Sequence, residues 1–168
     1  MKRLPAILAL AAMLLLAGCS NKPQIGPLGG VHWHADFKVF VDGKPISFVK
    51  RELMVKAQYV HIENMDGDVI HVHASGVTIG EFFRTLGMQF DDECLEIGRN
   101  DYCSDEQKTL KFFVNGEPNE LFGDYLISDQ DQLLISYGPA NEDVKEQLAS
   151  ITHKARAESG SGKEMDLH

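Results

Sequence analysis

The sequence predicts an α+β domain: a mixed sheet with one helix packed across it, followed by a C-terminal helix. Three observations carry this expectation. Short segments of alternating or continuous apolar residues lie on both sides of a single well-marked helix start, so the helix must cover one face of the sheet those strands form. Turn dipeptides Asp42-Gly43, Asp66-Gly67 and Asn115-Gly116 punctuate the strands. Hydrophobic residues make up 43% of the 168 and charged residues 24%, an ordinary globular balance that excludes wholesale disorder.

The elements follow in order. Asp36 to Val41 alternates, Asp42-Gly43 supplies a two-residue type I′ turn, and Lys44 to Phe48 returns. That loop sets Val39 opposite Ile46 and Phe37 opposite Phe48, so apolar residues meet on one face. Tyr59–Glu63 and Val69–His73 read as two further strands around the segment 65–68. Thr78 and Glu81 have capping-box spacing, Val77 and Phe82 can staple the entry, and Gly87 stops the helix. Leu110–Val114 and Leu133–Tyr137 complete the strands. After Asn141, an expected N-cap, one helix carries Val144, Leu148, Ile151 and Ala155 on a single stripe.

Ahead of the domain, Met1-Lys2-Arg3 is a basic start and Leu4 to Leu16 an apolar run too short to span a bilayer. Leu16-Ala17-Gly18-Cys19-Ser20 resembles the lipobox of bacterial lipoproteins, which implies a signal peptide over 1–18 and acylation of Cys19, for example by palmitate. The resemblance implies an extracytoplasmic, membrane-anchored protein of the cell envelope. In a two-membrane bacterium this means the periplasmic side, and Ser20 favours the outer membrane. Residues 19–30 then form the lipidated cysteine and a Pro/Gly-rich tether, 31–139 the sheet domain, 140–158 the C-terminal helix and 159–168 a disordered tail. Without Lys2 and Arg3 the chain keeps 14 basic residues against 25 acidic, a net charge of −11, so nucleic acid is excluded as a partner.

Cys94 and Cys103 remain once Cys19 is acylated. Two thiols this close in an oxidising compartment are expected to pair as a structural disulfide, contributing roughly 2.7 kcal/mol before strain. The spacing is wrong for a two-residue redox motif. The acidic loop around them has no ordered calcium-ligand spacing, and the chain carries no nucleophile elbow, phosphate loop or His-Glu-x-x-His helix.

Five of the seven histidines fall between positions 32 and 73: His32, His34, His61, His71 and His73. Two pairs are His-x-His. In a strand, side chains at i and i+2 project from one face, so each pair can converge on one ion. By the same parity His61 shares a face with Glu63, and His32 and His34 share one with Asp36 and Lys38. A register with His61 opposite His73 and Glu63 opposite His71, reached through an odd-length loop at Asp66-Gly67-Asp68, gathers four polar groups. Metal ligands, a buried polar network and solvent-facing strand histidines all fit this pattern. Imidazole with carboxylate suits a transition ion, copper or zinc. Met54 and Met65 are read as core methionines rather than copper(I) ligands. His153 and His168 fall in the terminal helix and tail, outside the site.

Tyr125 to Ile135, an acidic turn before a final central strand, resembles the end of ubiquitin-like β-grasp domains over about residues 37–137, with an insertion around the cysteines. The chain continues past Gly138-Pro139, so the terminal Gly-Gly of ubiquitin and the sulfur carriers is missing and conjugation is not implied. His32-Trp33-His34-Ala35-Asp36-Phe37, His71-Val72-His73-Ala74-Ser75-Gly76 and Phe82-Phe83-Arg84-Thr85-Leu86-Gly87 together resemble a family of exported prokaryotic proteins over about residues 31–138. That resemblance implies fold and export, and carries no mechanism.

The functional expectation is a lipid-anchored metal-binding or metal-delivery protein. One alternative is a metal-dependent enzyme, a hydrolase or oxygen-handling protein, with an open histidine site and Glu63 or Asp36 as general base. Another is a non-metal assembly lipoprotein whose sheet binds a protein partner in the envelope.

Overall fold

The computed structural model describes residues 23–161; the signal segment, Cys19 and residues 162–168 lie outside them. The architecture is α+β, as expected. The strands are β1 (Trp33–Val41), β2 (Lys44–Pro45), β3 (Val60–His61), β4 (Val69–Val72), β5 (Gln89–Phe90), β6 (Cys94–Ile97), β7 (Asn100–Cys103), β8 (Lys108–Val114), β9 (Glu117–Pro118) and β10 (Gln132–Pro139). Helix α1 (Ile79–Thr85) interrupts them, and α2 (Lys145–Ala149) and α3 (Lys154–Ser161) close the chain.

The seven-stranded main sheet runs β3-β4-β1-β10-β8-β9, with β2 on the far end of β1. β1 and β10 pair in parallel at its centre, from Asp36 opposite Gln132 to Val41 opposite Tyr137. The Asp42-Gly43 turn holds both residues at positive φ, and β2 pairs in the expected register, Phe40 with Pro45. Ile46 donates its N–H to the Val39 carbonyl, and the Phe37 and Phe48 rings sit 5.0 Å apart. Thr78 caps α1 by accepting the Glu81 N–H, and Gly87 takes the left-handed conformation just beyond it. The Glu81 carboxylate accepts from Arg84 and from the Tyr59 hydroxyl.

One face of the sheet is the apolar core. Ala35, Phe37 and Val39 of β1, Ile70 and Val72 of β4, and Leu133 and Ile135 of β10 pack against Phe82 and Phe83 of α1, all but inaccessible. A small sheet, β5-β6-β7, flanks this face; Cys94 stands opposite Cys103 in its hairpin and the two are disulfide-bonded.

Several expectations need correction. Residues 23–30 are not a free tether: Gly26 and Gly29 donate to the carbonyls of Ser75 and His73, and Gly76 passes so close to Gln24 that a β-carbon there would lie 2.4 Å from its carbonyl oxygen. The loop between β3 and β4 does not turn at Gly67. It turns at Asn64-Met65, both at positive φ, and Gly67 instead lets the chain cross the backbone of Phe48 and Val49, 2.7 Å from where its β-carbon would sit. Met65 is consequently exposed rather than in the core, whereas Met54 packs against the core as expected.

The single helix expected over 140–158 is two helices, and Asn141 is not its cap: α2 begins after Val144. The break is chemical. The buried Asp36 carboxylate accepts from the Thr152 hydroxyl and from the backbone N–H groups of Lys154 (3.0 Å) and Ala155 (3.1 Å), so a new helix starts on it. The apolar stripe survives the break, with Ile151 packed on Phe40 and Leu134 and with Leu148 and Val144 alongside. α3 continues through Ser161, past the expected start of the tail.

Candidate metal centre

Period-two geometry delivers the five histidines to one place. His32 precedes β1 and His34 lies on it; His61 ends β3; His71 is on β4 and His73 just after it. All project away from the apolar core. β1 and β4 pair with His34 opposite His71, and β3 and β4 with His61 opposite His71. The expected pairing of His61 with His73 and Glu63 with His71 is therefore corrected by two residues. A two-residue shift leaves every side chain on its face, so the cluster survives the error.

The five imidazoles form a closed circuit. Ring centres are 5.7 Å apart for His61–His71, 4.7 Å for His71–His34, 4.9 Å for His34–His32, 4.9 Å for His32–His73 and 5.1 Å for His73–His61. His32, His34 and His71 each bring a ring nitrogen within 4.8 Å of the other two. His34, His61 and His71 are buried and His73 is half-buried, so these four are not solvent-facing strand histidines, whereas His32 is exposed.

α3 buries them. It lies across β1, and its Glu158 places Oε2 3.6 Å from His34 Nε2 and 3.7 Å from His71 Nε2. Ser159 donates its hydroxyl proton to Asp129 (2.8 Å) and lies 3.3 Å from His34 Nδ1, so that nitrogen carries the hydrogen and Nε2 keeps the lone pair. His61 is fixed the same way: Nδ1 donates to the Ala57 carbonyl at 2.9 Å, leaving Nε2 3.4 Å from Glu63 Oε2. The other Glu63 oxygen is 3.9 Å from His71 Nδ1.

The surroundings favour the neutral form of three of the rings, His34, His71 and His73. Burial lowers the pKa of His71 to about 4, with the neighbouring histidines adding to the fall and Glu63 opposing it. Burial, with His32 next, lowers that of His34; burial, with His61 and His32, lowers that of His73. Glu158 moves the other way, raised by burial and by the carboxylates of Asp66, Glu63 and Asp36. Neutral imidazoles beside carboxylates are a donor set suited to a divalent transition ion.

All six expected ligands lie in the cluster, with Glu63 at its rim. Asp36 does not: its carboxylate is used by α3, so it neither orients an imidazole nor stands as a general base at the site. His153 is also apart, against Gln132. Glu158, Ser159 and Asp129 went unforeseen. A signal for the first two existed, because the helical stripe ending at Ala155 continues inward at i+3 and i+4, which are positions 158 and 159.

Among the described residues, no helix is long and apolar enough to cross a membrane. No protein-family model, curated protein or solved structure matches the chain.

Proposed function

We propose that this is a transition-metal-binding protein, anchored by acylated Cys19 on the extracytoplasmic side of an envelope membrane, that binds copper or zinc for delivery. One observation carries the reading: three imidazoles, His32, His34 and His71, converge beneath a helix that adds the Glu158 carboxylate. A tetrahedral ion at about 2.1 Å from each nitrogen holds its ligands about 3.4 Å apart. The nitrogens, within 4.8 Å of one another, therefore need to close by up to about 1.4 Å around it, within the reach of side-chain rotation. Exposed His32 gives an ion a route in and out, which supports exchange with a partner rather than a sealed structural ion.

The fold reading beneath this is β-grasp-like. Parallel β1 and β10 at the centre, a hairpin leaving β1, α1 crossing the sheet and a short 3-10 turn at Phe122–Asp124 before β10 all support it.

The test is a titration of the purified full chain with zinc and copper(II), wild type against His34→Gln/His71→Gln. Affinity is expected to fall at least 100-fold in the variant. Equal affinities, or no tight binding in either protein, return the chain to the assembly-lipoprotein reading. Anchoring is tested by Cys19→Ala, which is expected to leave the membrane fraction; a variant that stays bound after carbonate washing overturns the lipid anchor.

A further inference from the structure

His71 stands between two carboxylates, one at each ring nitrogen. Nε2 faces Glu158 Oε2 at 3.7 Å, the oxygen that also lies 3.6 Å from His34 Nε2. Nδ1 faces Glu63 Oε1 at 3.9 Å, and the second Glu63 oxygen lies 3.4 Å from His61 Nε2. Two donor groups thus share one imidazole. At Nε2 are Glu158 and, through it, His34, with His32 against His34; at Nδ1 is Glu63 and, through it, His61, and His73 lies between His61 and His32.

A single ion cannot gather them all. Five imidazoles and two carboxylates are seven donors, whereas a tetrahedral transition ion takes four. Divided at His71, the same groups supply four donors to each of two positions, the number a tetrahedral site requires.

We propose that the histidine circuit is a dinuclear transition-metal centre in which His71 bridges two ions, through Nε2 to one held by His32, His34 and Glu158 and through Nδ1 to one held by His61, His73 and Glu63. The proposal rests on the metal-binding reading and deepens it. On binding, the neutral His71 ring releases its remaining N–H proton to solvent and becomes an imidazolate, with a lone pair for each ion. Two carboxylates and one imidazolate then set three negative charges against the four positive charges of two divalent ions, leaving a single net charge to accommodate. The ions sit roughly 6 Å apart, the distance set by two metal–nitrogen bonds and the width of the ring. The Nδ1–H of His34 and of His61 are already committed to Ser159 and Ala57, so those two rings serve one ion each through Nε2.

The experiment counts ions. The purified full chain is loaded with zinc and, separately, with copper(II), and stoichiometry is read by native mass spectrometry and by metal analysis after dialysis. Two ions per chain are expected for wild type, and one for Glu63→Gln and for Glu158→Gln, with unchanged far-ultraviolet circular dichroism. In the copper form, low-temperature electron paramagnetic resonance is expected to show less isolated copper(II) than the total bound, because bridged ions couple, and full intensity in either variant. One ion per wild-type chain, or two ions with an uncoupled signal, overturns the bridge and leaves the metal reading standing. No bound ion overturns both.

Discussion

The two faces of the central sheet solve the same problem with different chemistry. The face toward α1 is closed by aromatic packing: Phe37, Phe48, Phe82, Phe83 and Phe90 form a chain of ring contacts 5.0 to 6.0 Å apart. The face toward α3 is closed by polar groups beside a small apolar cluster of Phe40, Leu134 and Ile151. There Asp36 holds the helix start, Lys38 pairs with Asp68 at 2.6 Å, Lys154 pairs with Asp66 at 2.7 Å, and the histidines fill the space between. Apolar burial is non-directional and tolerates only shape. Polar burial demands a partner for each group, so its contacts fix individual atoms, as at Nδ1 of His34 and of His61. The first face supplies stability, and the second positions the site.

Phe82→Ala on the α1 face is expected to have the largest effect, a loss of about 3 to 5 kcal/mol by removing a fully buried ring. It should lower the urea midpoint while leaving metal stoichiometry unchanged in the folded fraction. A change in stoichiometry at low denaturant would show that the two faces are not independent.

Asp36→Ala attacks the other face and is expected to cost about 2 kcal/mol, because three donors at the start of α3 lose a charged acceptor. Its signature differs from that of Phe82→Ala: tryptic cleavage after Lys154 and Arg156 should accelerate well before global unfolding, and of the two proposed ions the one assigned to Glu158 should weaken most. Cleavage no faster than wild type would mean that α3 is held by its apolar stripe alone.

The smallest effect is the pH dependence of the metal-free protein. The folded pKa of His71 lies near 4, below the 6.5 of the free side chain, so the unfolded chain takes up the proton first as pH falls. The stabilisation from a neutral His71 is present above about pH 6.5 and is lost as pH drops toward 4. We expect a loss on the order of 1 to 2 kcal/mol over that interval, read from denaturant midpoints at pH 7, 5.5 and 4.5, because relaxation and water entry soften the burial that is the main cause of the shift. His71→Gln should flatten the profile. An equally steep profile in that variant would move the effect to other groups.

The sequence by itself determined which face each residue takes. Strand parity separates His32, His34, Asp36 and Lys38 from Ala35, Phe37 and Val39, and this information is local because alternation is a property of the extended backbone. The Asp42-Gly43 turn, the Thr78 cap and the Gly87 stop were legible for the same reason: each is a short-range rule satisfied within a few residues. Only the tertiary structure decided what covers the second face. That Asp36 meets Lys154 across 118 positions, that Glu158 reaches His34 and His71, and that Gly67 marks a crossing rather than a turn all depend on segments distant in sequence. Local spacing carries no trace of them, since a carboxylate that starts a distant helix and one that orients an imidazole look alike until the chain is folded.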